Sequence, residues 1–305
     1  MDISIIILNW NGLGFLKECV PSVIRACRNY GDNCEIMVVD NGSRDGSRDY
    51  LKLEFPFVRI AALERNFGFA KAMNIGIKEA AHSLVVCLNN DVVVDKNFIL
   101  PLARYFNDGS VFAVAAKMFL WDRKTLYFGR TNLNFRWGFM HRVIWDSAVS
   151  AYTLYACAGG FAVDKNKFLK IGGFDEDMDV YWEDLDLCYR AWKQGYKTIY
   201  EPQSMIYHKF HGTNLQKYGR RGIDRLSGRN YTLFVLKNIH DRKLLSCHLF
   251  FLPVLMFASA LAGRSRFAAG ILSSFKIWPI FLKKREAERK KAIFSDREVL
   301  NMSSK

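Results

Sequence analysis

The sequence predicts an α/β fold: a mostly parallel central sheet flanked by helices, followed by a C-terminal helical region that associates with a membrane. Three observations carry this. Short β-branched runs alternate with helical spacings over the first 120 residues. Those runs are apolar throughout rather than alternating, as in strands buried on both faces. Residues 244–262 then hold 19 positions without Lys, Arg, Asp or Glu.

In order, Ile3–Leu8 reads as a strand and Phe15–Tyr30 as a helix. Glu35–Val39 is a strand ending at Asp40, and Asp45–Phe55 a helix with Ser43 or Asp45 as its cap. Val58–Leu63, Phe69–Ala81 and Leu84–Leu88 read as strand, helix and strand, the last running into Asn89-Asn90-Asp91. Lys96–Asn107 has helical spacing and Val111–Met118 is a fifth strand. From Trp121 to Tyr155 the chain is aromatic and turn-rich, as expected of a hairpin or an irregular excursion. Order returns with a strand at Ala156–Val163, a helix near Lys165–Ile171, a helix over Asp184–Gln194 stopped by Gly195, and a strand at Lys197–Glu201. Arg220–Lys237 is basic and helical. The division this suggests is 1–240 for the α/β domain and 241–305 for an apolar and basic tail.

Of 305 residues 50% are hydrophobic and 24% charged, enough for a large core and too ordered a composition for a collagen-like or disordered chain. The formal charge is +14, and residues 264–305 carry half of that excess. Such a balance suits nucleic acid, an anionic membrane or phosphorylated ligands. Seven cysteines without a Cys-x-x-Cys pair read as reduced core thiols. Met1-Asp2 leads straight into a strand, so the expected compartment is the cytoplasmic side of the cell membrane. Basic residues flank 244–262 on both sides, and Pro253 and His248 interrupt it. An interfacial helix is favoured over a spanning one, with an oligomer interface as the remaining option.

Three acidic places stand out because ligands of open α/β sheets sit beyond the carboxyl ends of strands. Asp40 ends the second strand in a Gly- and Ser-rich turn and is placed to contact a base or ribose. Asn89-Asn90-Asp91 ends the fourth strand and supplies hard oxygen atoms for a cation that a diphosphate partly neutralises. Glu183-Asp184 opens a helix, where the dipole favours carboxylates. Arg65, Lys71, Arg220, Arg221 and Arg229 are candidate phosphate partners. Trp121, Phe128, Phe135, Trp137 and Trp145 could wall an acceptor site, and Trp182 could stack on a sugar.

Taken together, the stretches Ser4–Asn11, Val39–Ser43, Arg65–Ala70, Leu88–Asp91, Gly172–Glu176 and Trp182–Cys188 resemble glycosyltransferase family 2 in order and spacing, over roughly residues 1–240. Within it the chain looks most like the rhamnosyltransferase branch. The resemblance implies a GT-A fold and an inverting transfer from a nucleoside-diphosphate sugar to a glycan or lipid-linked oligosaccharide, with Mn²⁺ or Mg²⁺ as cofactor. Asp40 then resembles the acid that contacts the nucleobase, with Asn9 lining that pocket. Asp91 resembles the metal-binding acid of an Asp-x-Asp motif whose first acid is here Asn89. Asp184 resembles the catalytic base, with Glu183 beside it. Asp175 stands where sugar or acceptor is contacted. His208 resembles a histidine that completes the metal site, with His211 as the competing choice.

Two other classes are weighed. A sugar-nucleotide pyrophosphorylase would carry a Gly-rich, Arg-containing loop where Asn9-Trp10-Asn11-Gly12 stands. A non-catalytic membrane- or nucleic-acid-binding protein would explain the charge but not acids at three element ends, and no nucleic-acid partner is expected.

Overall fold

The computed structural model describes residues 1–31, 33–209 and 213–304, the side chains of Thr213, Asn214 and Gln216 excepted. The first half is β1 (Ile3–Asn9), α1 (Leu13–Tyr30), β2 (Cys34–Asp40), α2 (Ser47–Glu54), β3 (Arg59–Ala62), α3 (Phe69–Glu79), β4 (Leu84–Asn89), β5 (Val92–Val94), α4 (Ile99–Ala103) and β6 (Val111–Leu120). The middle holds β7 (Leu126–Phe128), β8 (Arg130–Arg136), β9 (Phe139–Trp145), β10 (Ala151–Tyr152), β11 (Gly160–Asp164), α5 (Lys165–Ile171), α6 (Glu183–Lys193) and β12 (Lys197–His208). Helices α7 (Thr213–Asn238), α8 (Arg242–Leu261), α9 (Ser265–Ser274), α10 (Trp278–Lys291) and α11 (Asp296–Met302) follow.

The main sheet runs β10-β12-β6-β11-β4-β1-β2-β3, with β5 on β12 and β7 on β6. Strands β3, β2, β1 and β4 are mutually parallel, and β12 is parallel to β6. Only β11, wedged between β4 and β6, runs against both along the main path's centre. Register matters for function: Asn9 pairs with Asp40, and Leu8 with Asn89. The carboxyl ends of β1, β2 and β4 are therefore level. Their apolar runs, such as Ile5–Ile7, Met37–Val39 and Val85–Leu88, are wholly buried between the helical layers, as the unbroken hydrophobic pattern requires.

The aromatic middle segment is a hairpin, β8 against β9, lying off the main sheet. The helix expected over Lys96–Asn107 is only α4 and a 3-10 turn at Arg104–Asn107. Helix α2 starts later than its expected cap. Asp45 instead accepts from Ser47 N and reaches across to Leu13 N, capping α1 at 2.8 Å. The strand expected at Lys197–Glu201 continues to His208, because Pro202 falls in a bulge between Glu201 and Met205 rather than ending the strand.

The tail is packed on the α/β body. Gly228 of α7 faces the Phe267 carbonyl and Gly270 of α9 faces the Arg225 carbonyl, each so close that a Cβ would collide. Lys193 of α6 pairs with buried Asp296 of α11 at 2.9 Å.

Candidate active site

A cavity of about 730 Å³ opens beyond the strand ends, within the usual size for a small-molecule site. Leu8, Trp10, Asn41 and Asn66 line one end. Asn89, Asn90, Asp91 and His208 line its floor, and Glu183 and Asp184 line it from α6. Side chains distant in sequence thus share one space because β1, β4 and β12 end there and α6 begins there.

The floor is built by close approach. Asn90 Nδ2 donates to Asn9 Oδ1 at 2.7 Å, and Asn9 Nδ2 donates to Asp40 Oδ1 at 3.1 Å. This needs a glycine at position 12, where a Cβ would run into the Asn90 amide. Asp91 Oδ1 is buried with no hydrogen-bond donor among the described residues. His208 Nε2, brought by the long β12, lies 3.2 Å from it, and Tyr127 stacks on the imidazole at 5.0 Å. Two ligands cis on an octahedral ion with bonds of ~2.1 Å lie ~3 Å apart. The undonated oxygen and the neighbouring ring nitrogen therefore fit one divalent cation. Among the described residues no cluster of three or more His, Cys, Asp or Glu side chains forms, so the remaining ligands would come from substrate phosphate and water. His211 lies outside the described residues.

The opposite wall is strained. Asp179, Tyr181 and Trp182 have φ of 32°, 65° and 76°, a left-handed run that costs energy in non-glycine residues. Asn230 of α7 holds it, its amide within 2.5–3.0 Å of the Met178, Val180 and Tyr181 carbonyls. The run delivers Glu183 and Asp184 to the cavity at the start of α6. Asp184 accepts from Leu185 N at 2.7 Å and Ala158 N at 3.3 Å. Burial raises its pKa above the ordinary carboxylate range, only partly offset by those N–H groups and by the Arg142 charge. Glu183 is driven up further, by burial and then by Asp184 beside it, and its Oε2 has no partner among the described residues.

Not every expected residue reaches this space. Asp40 is fully buried below it, bonded by Arg48, by Ser43 N at 3.2 Å and by Asn9. A base contact by Asp40 would require Arg48 to leave, and Asn41 presents the next side chain to the cavity instead. Arg65 is exposed with its guanidinium 5.0 Å from the Phe67 ring, and Lys71 covers the same ring. Asp175 lies outside the cavity. Its carboxylate is buried in an ion-pair network with Lys237, at 2.6 Å, and Lys284, away from the cavity, because α7 and α10 close over the Gly172-Gly173 turn. Trp182 lines the cavity, but its ring packs on Tyr231 and Phe234 of α7 at 5.0 and 5.7 Å. Of the five aromatic candidates in the middle segment only Phe128 lines it. Arg229 binds the Asp177 carbonyl at 3.0 Å outside it.

Sequence reasoning missed Arg142, Tyr155, Lys217 and Tyr218, all of which line the cavity. Lys217 donates to Asn66 Oδ1 at 2.8 Å and sits 5.8 Å from the Trp10 ring. Burial lowers its pKa, with Asp179 opposing. Tyr218 donates to Asp179 Oδ2 at 3.1 Å. The basic stretch around Lys217 was the available signal. For Arg142 there was none, since one arginine in an irregular segment has no neighbour in sequence to mark it.

Comparison with known proteins agrees with this architecture. The chain is 26% identical over 167 residues to the dTDP-rhamnosyl transferase RfbF of Shigella flexneri, covering 53% of this chain and 55% of that one. It is 23% identical over 221 residues to the putative polypeptide N-acetylgalactosaminyltransferase 10 of Drosophila melanogaster, covering 67% of this chain. The chain spans only 34% of that protein's length. The crystal structure of GalNAc-T7 with UDP, GalNAc and Mn²⁺ superposes with a TM-score of 0.70 at 18% identity, over 99% of this chain and 56% of the other. The mannosyltransferase PcManGT of Pyrobaculum calidifontis with GDP-Man and Mn²⁺ gives 0.57 at 16% identity, over 99% and 85%. These neighbours establish the GT-A fold that the resemblance implied. Residues 4–166, more than half of the chain, match the model of glycosyl transferase family 2, which sets aside the pyrophosphorylase and the non-catalytic binding protein: the chain belongs to glycosyl transferase family 2.

Proposed function

We propose that this protein transfers a sugar, with inversion, from a nucleoside-diphosphate donor to a hydroxyl of a growing, lipid-linked surface glycan. One observation carries the reading. The Asp91–His208 pair and the Glu183–Asp184 pair line one cavity, together with Trp10, Asn41 and Asn66 for a nucleotide. Rhamnose is the favoured sugar, supported by the sequence resemblance and by the dTDP-rhamnosyl relative.

Asp91 and His208 would hold a Mn²⁺ or Mg²⁺ ion, which when bound neutralises charge on the departing diphosphate. Asp184 accepts the proton of the attacking hydroxyl. A carboxylate is too weak to ionise a free alcohol beforehand, so proton transfer is late and coupled to bond formation. Burial makes Asp184 a stronger base than a solvated aspartate, which helps this step. Residues 1–240 supply this chemistry. The tail from 241 holds the enzyme on the cytoplasmic face of the membrane, where its acceptor lies, and self-association through the same apolar surface is the second reading of α8.

The test is thermal stabilisation by dTDP, UDP and GDP with and without Mn²⁺, followed by mass spectrometry of products from a donor panel. One nucleotide stabilising the protein in a Mn²⁺-dependent way, and its sugar appearing on an acceptor, is the expected result. No stabilisation by any of the three would sink the reading.

A further inference from the structure

Besides the groups named for nucleotide, cation and base, the cavity has a further lining. Its wall is apolar: Leu133, Met140 and Ile144 from the hairpin and Phe128 from β7. One cation is set into that wall. Arg142, on β9, donates from its guanidinium to the Tyr155 hydroxyl at 2.7 Å. Tyr155 is buried and braced edge-on by Phe128 at 5.2 Å. One corner of the guanidinium is thereby fixed, while the residue stays open to the cavity's solvent. Among the described residues Arg142 makes no ion pair with a carboxylate.

A second guanidinium, Arg264, lines the same cavity from the turn that follows α8. Its partner there is the surface carboxylate of Asp224, at 3.2 Å, which an incoming anion can replace. Just before this turn α8 exposes Phe257 and Leu261, 67% and 73% accessible. A planar guanidinium fork recognises phosphoryl oxygens bidentately and most strongly where water is sparse. A tetrahedral phosphoryl group offers such a fork two oxygens. The surrounding wall asks for hydrocarbon.

We propose that this part of the cavity lining is a subsite for a phosphoryl group joined to an apolar chain, recognised by Arg142, and that the acceptor is the molecule that brings it. The proposal rests on the glycosyltransferase reading only in calling the occupant an acceptor.

The probe is decyl phosphate, titrated calorimetrically below its micelle concentration. Inorganic phosphate and neutral decyl glucoside serve as separate arms for the charge and the chain. Wild type binds decyl phosphate at least about tenfold more tightly than either fragment, and Arg142→Gln weakens it about 10- to 100-fold, the range for a charge-assisted hydrogen-bonded contact. Arg142→Lys, which keeps charge but not the fork, falls between. Arg136→Gln, an exposed arginine of the same hairpin, leaves binding unchanged. Nucleoside-diphosphate stabilisation is the same in Arg142→Gln as in wild type. Equal binding by Arg142→Gln and wild type overturns the proposal, as does loss of nucleotide rather than alkyl phosphate binding, which would place Arg142 on the donor side. Failure of the transferase reading is separately visible: no nucleoside diphosphate would stabilise the protein while decyl phosphate still bound.

Discussion

Asp184 reaches the cavity from the first turn of α6, where burial outweighs the two backbone N–H groups that favour its charged form. A base must be ionised to work. With its pKa raised, the acidic limb of the kcat/KM profile lies above the ordinary aspartate value of ~3.9, and activity falls as pH drops through it. Asp184→Asn is expected to lower transfer about 10²- to 10⁴-fold, the scale of acid–base catalysis, while nucleotide stabilisation is retained. Near-normal turnover would remove Asp184 from the role. Glu183 bears on stability. Burial and Asp184 favour its neutral acid, so the folded chain keeps that proton to higher pH than the unfolded chain. The stability it contributes is present below the ordinary glutamate range, ~4.3, and is lost as pH rises through the raised value. Glu183→Gln should therefore melt higher than wild type at neutral pH and no higher near pH 3; equal melting temperatures at pH 7 would contradict the assignment. Asn89 tests the floor. Its replacement by Asp adds a second carboxylate beside Asp91 and is expected to tighten Mn²⁺ about tenfold, since ligand charge tunes divalent affinity. Mn²⁺-dependent thermal stabilisation reads this directly.

At the scale of elements, the acids divide by what packs over them. Asp186, two residues after the base, is fully buried and accepts from Arg190 at 2.8 Å, Lys237 at 3.0 Å and Asn238 at 2.7 Å. Burial alone would raise its pKa, but Lys237 and Arg190 outweigh that and hold it below the ordinary value. Arg190 also binds the Ile171 and Gly173 carbonyls at 2.8 and 2.6 Å. One network therefore ties α6, α7 and the turn before the strained run that aims Asp184. Asp186→Ala leaves buried Arg190 without its carboxylate and Lys237 with Asp175 alone, and should cost about 3–5 kcal/mol, read as a lower denaturant midpoint. Because the folded-state pKa is depressed, the wild-type advantage is complete above the ordinary aspartate value and disappears as pH falls through the lower one. Here the limits of the sequence are physical. Strands β1, β2 and β4 were legible because burial on both faces leaves an unbroken apolar run. The first turn of α6 was legible because carboxylates collect at a helix start. That Asp175 joins a structural network, while Asp184 lines the cavity, depends on Lys237 and Lys284, 62 and 109 residues downstream of Asp175. No local pattern encodes that pairing. Arg142 was hidden likewise, and β12 was cut short because proline argues against a strand unless a bulge receives it.

For the molecule as a whole, the question is what the tail's surface is for. Helix α8 has a mean hydropathy of 2.1 over its most apolar window, yet only 11% of that window is buried. Its buried contacts are few: His248 Nδ1 meets the Gly138 carbonyl at 2.7 Å and Phe251 packs edge-on against Phe139. Phe250, Val254, Phe257 and Leu261 instead stand 55–76% exposed along one side, and Arg242, Lys243, Arg264 and Arg266 bracket them. Basic flanks around an apolar helical face fit an anionic bilayer surface, where hydrocarbon burial and headgroup attraction add. Moving one phenylalanine from that phase to water costs about 1.5–3 kcal/mol. The double variant Phe250→Glu/Phe257→Glu is therefore expected to lose at least about 100-fold in co-sedimentation with phosphatidylglycerol-containing vesicles, while nucleotide stabilisation stays at the wild-type level. Raising salt to 1 M, which shortens the screening length to about 3 Å, should weaken wild-type binding further where headgroup charge contributes. If the variant instead binds vesicles like wild type and sediments as a smaller particle in solution, the face joins copies of the chain and the membrane reading of the tail falls.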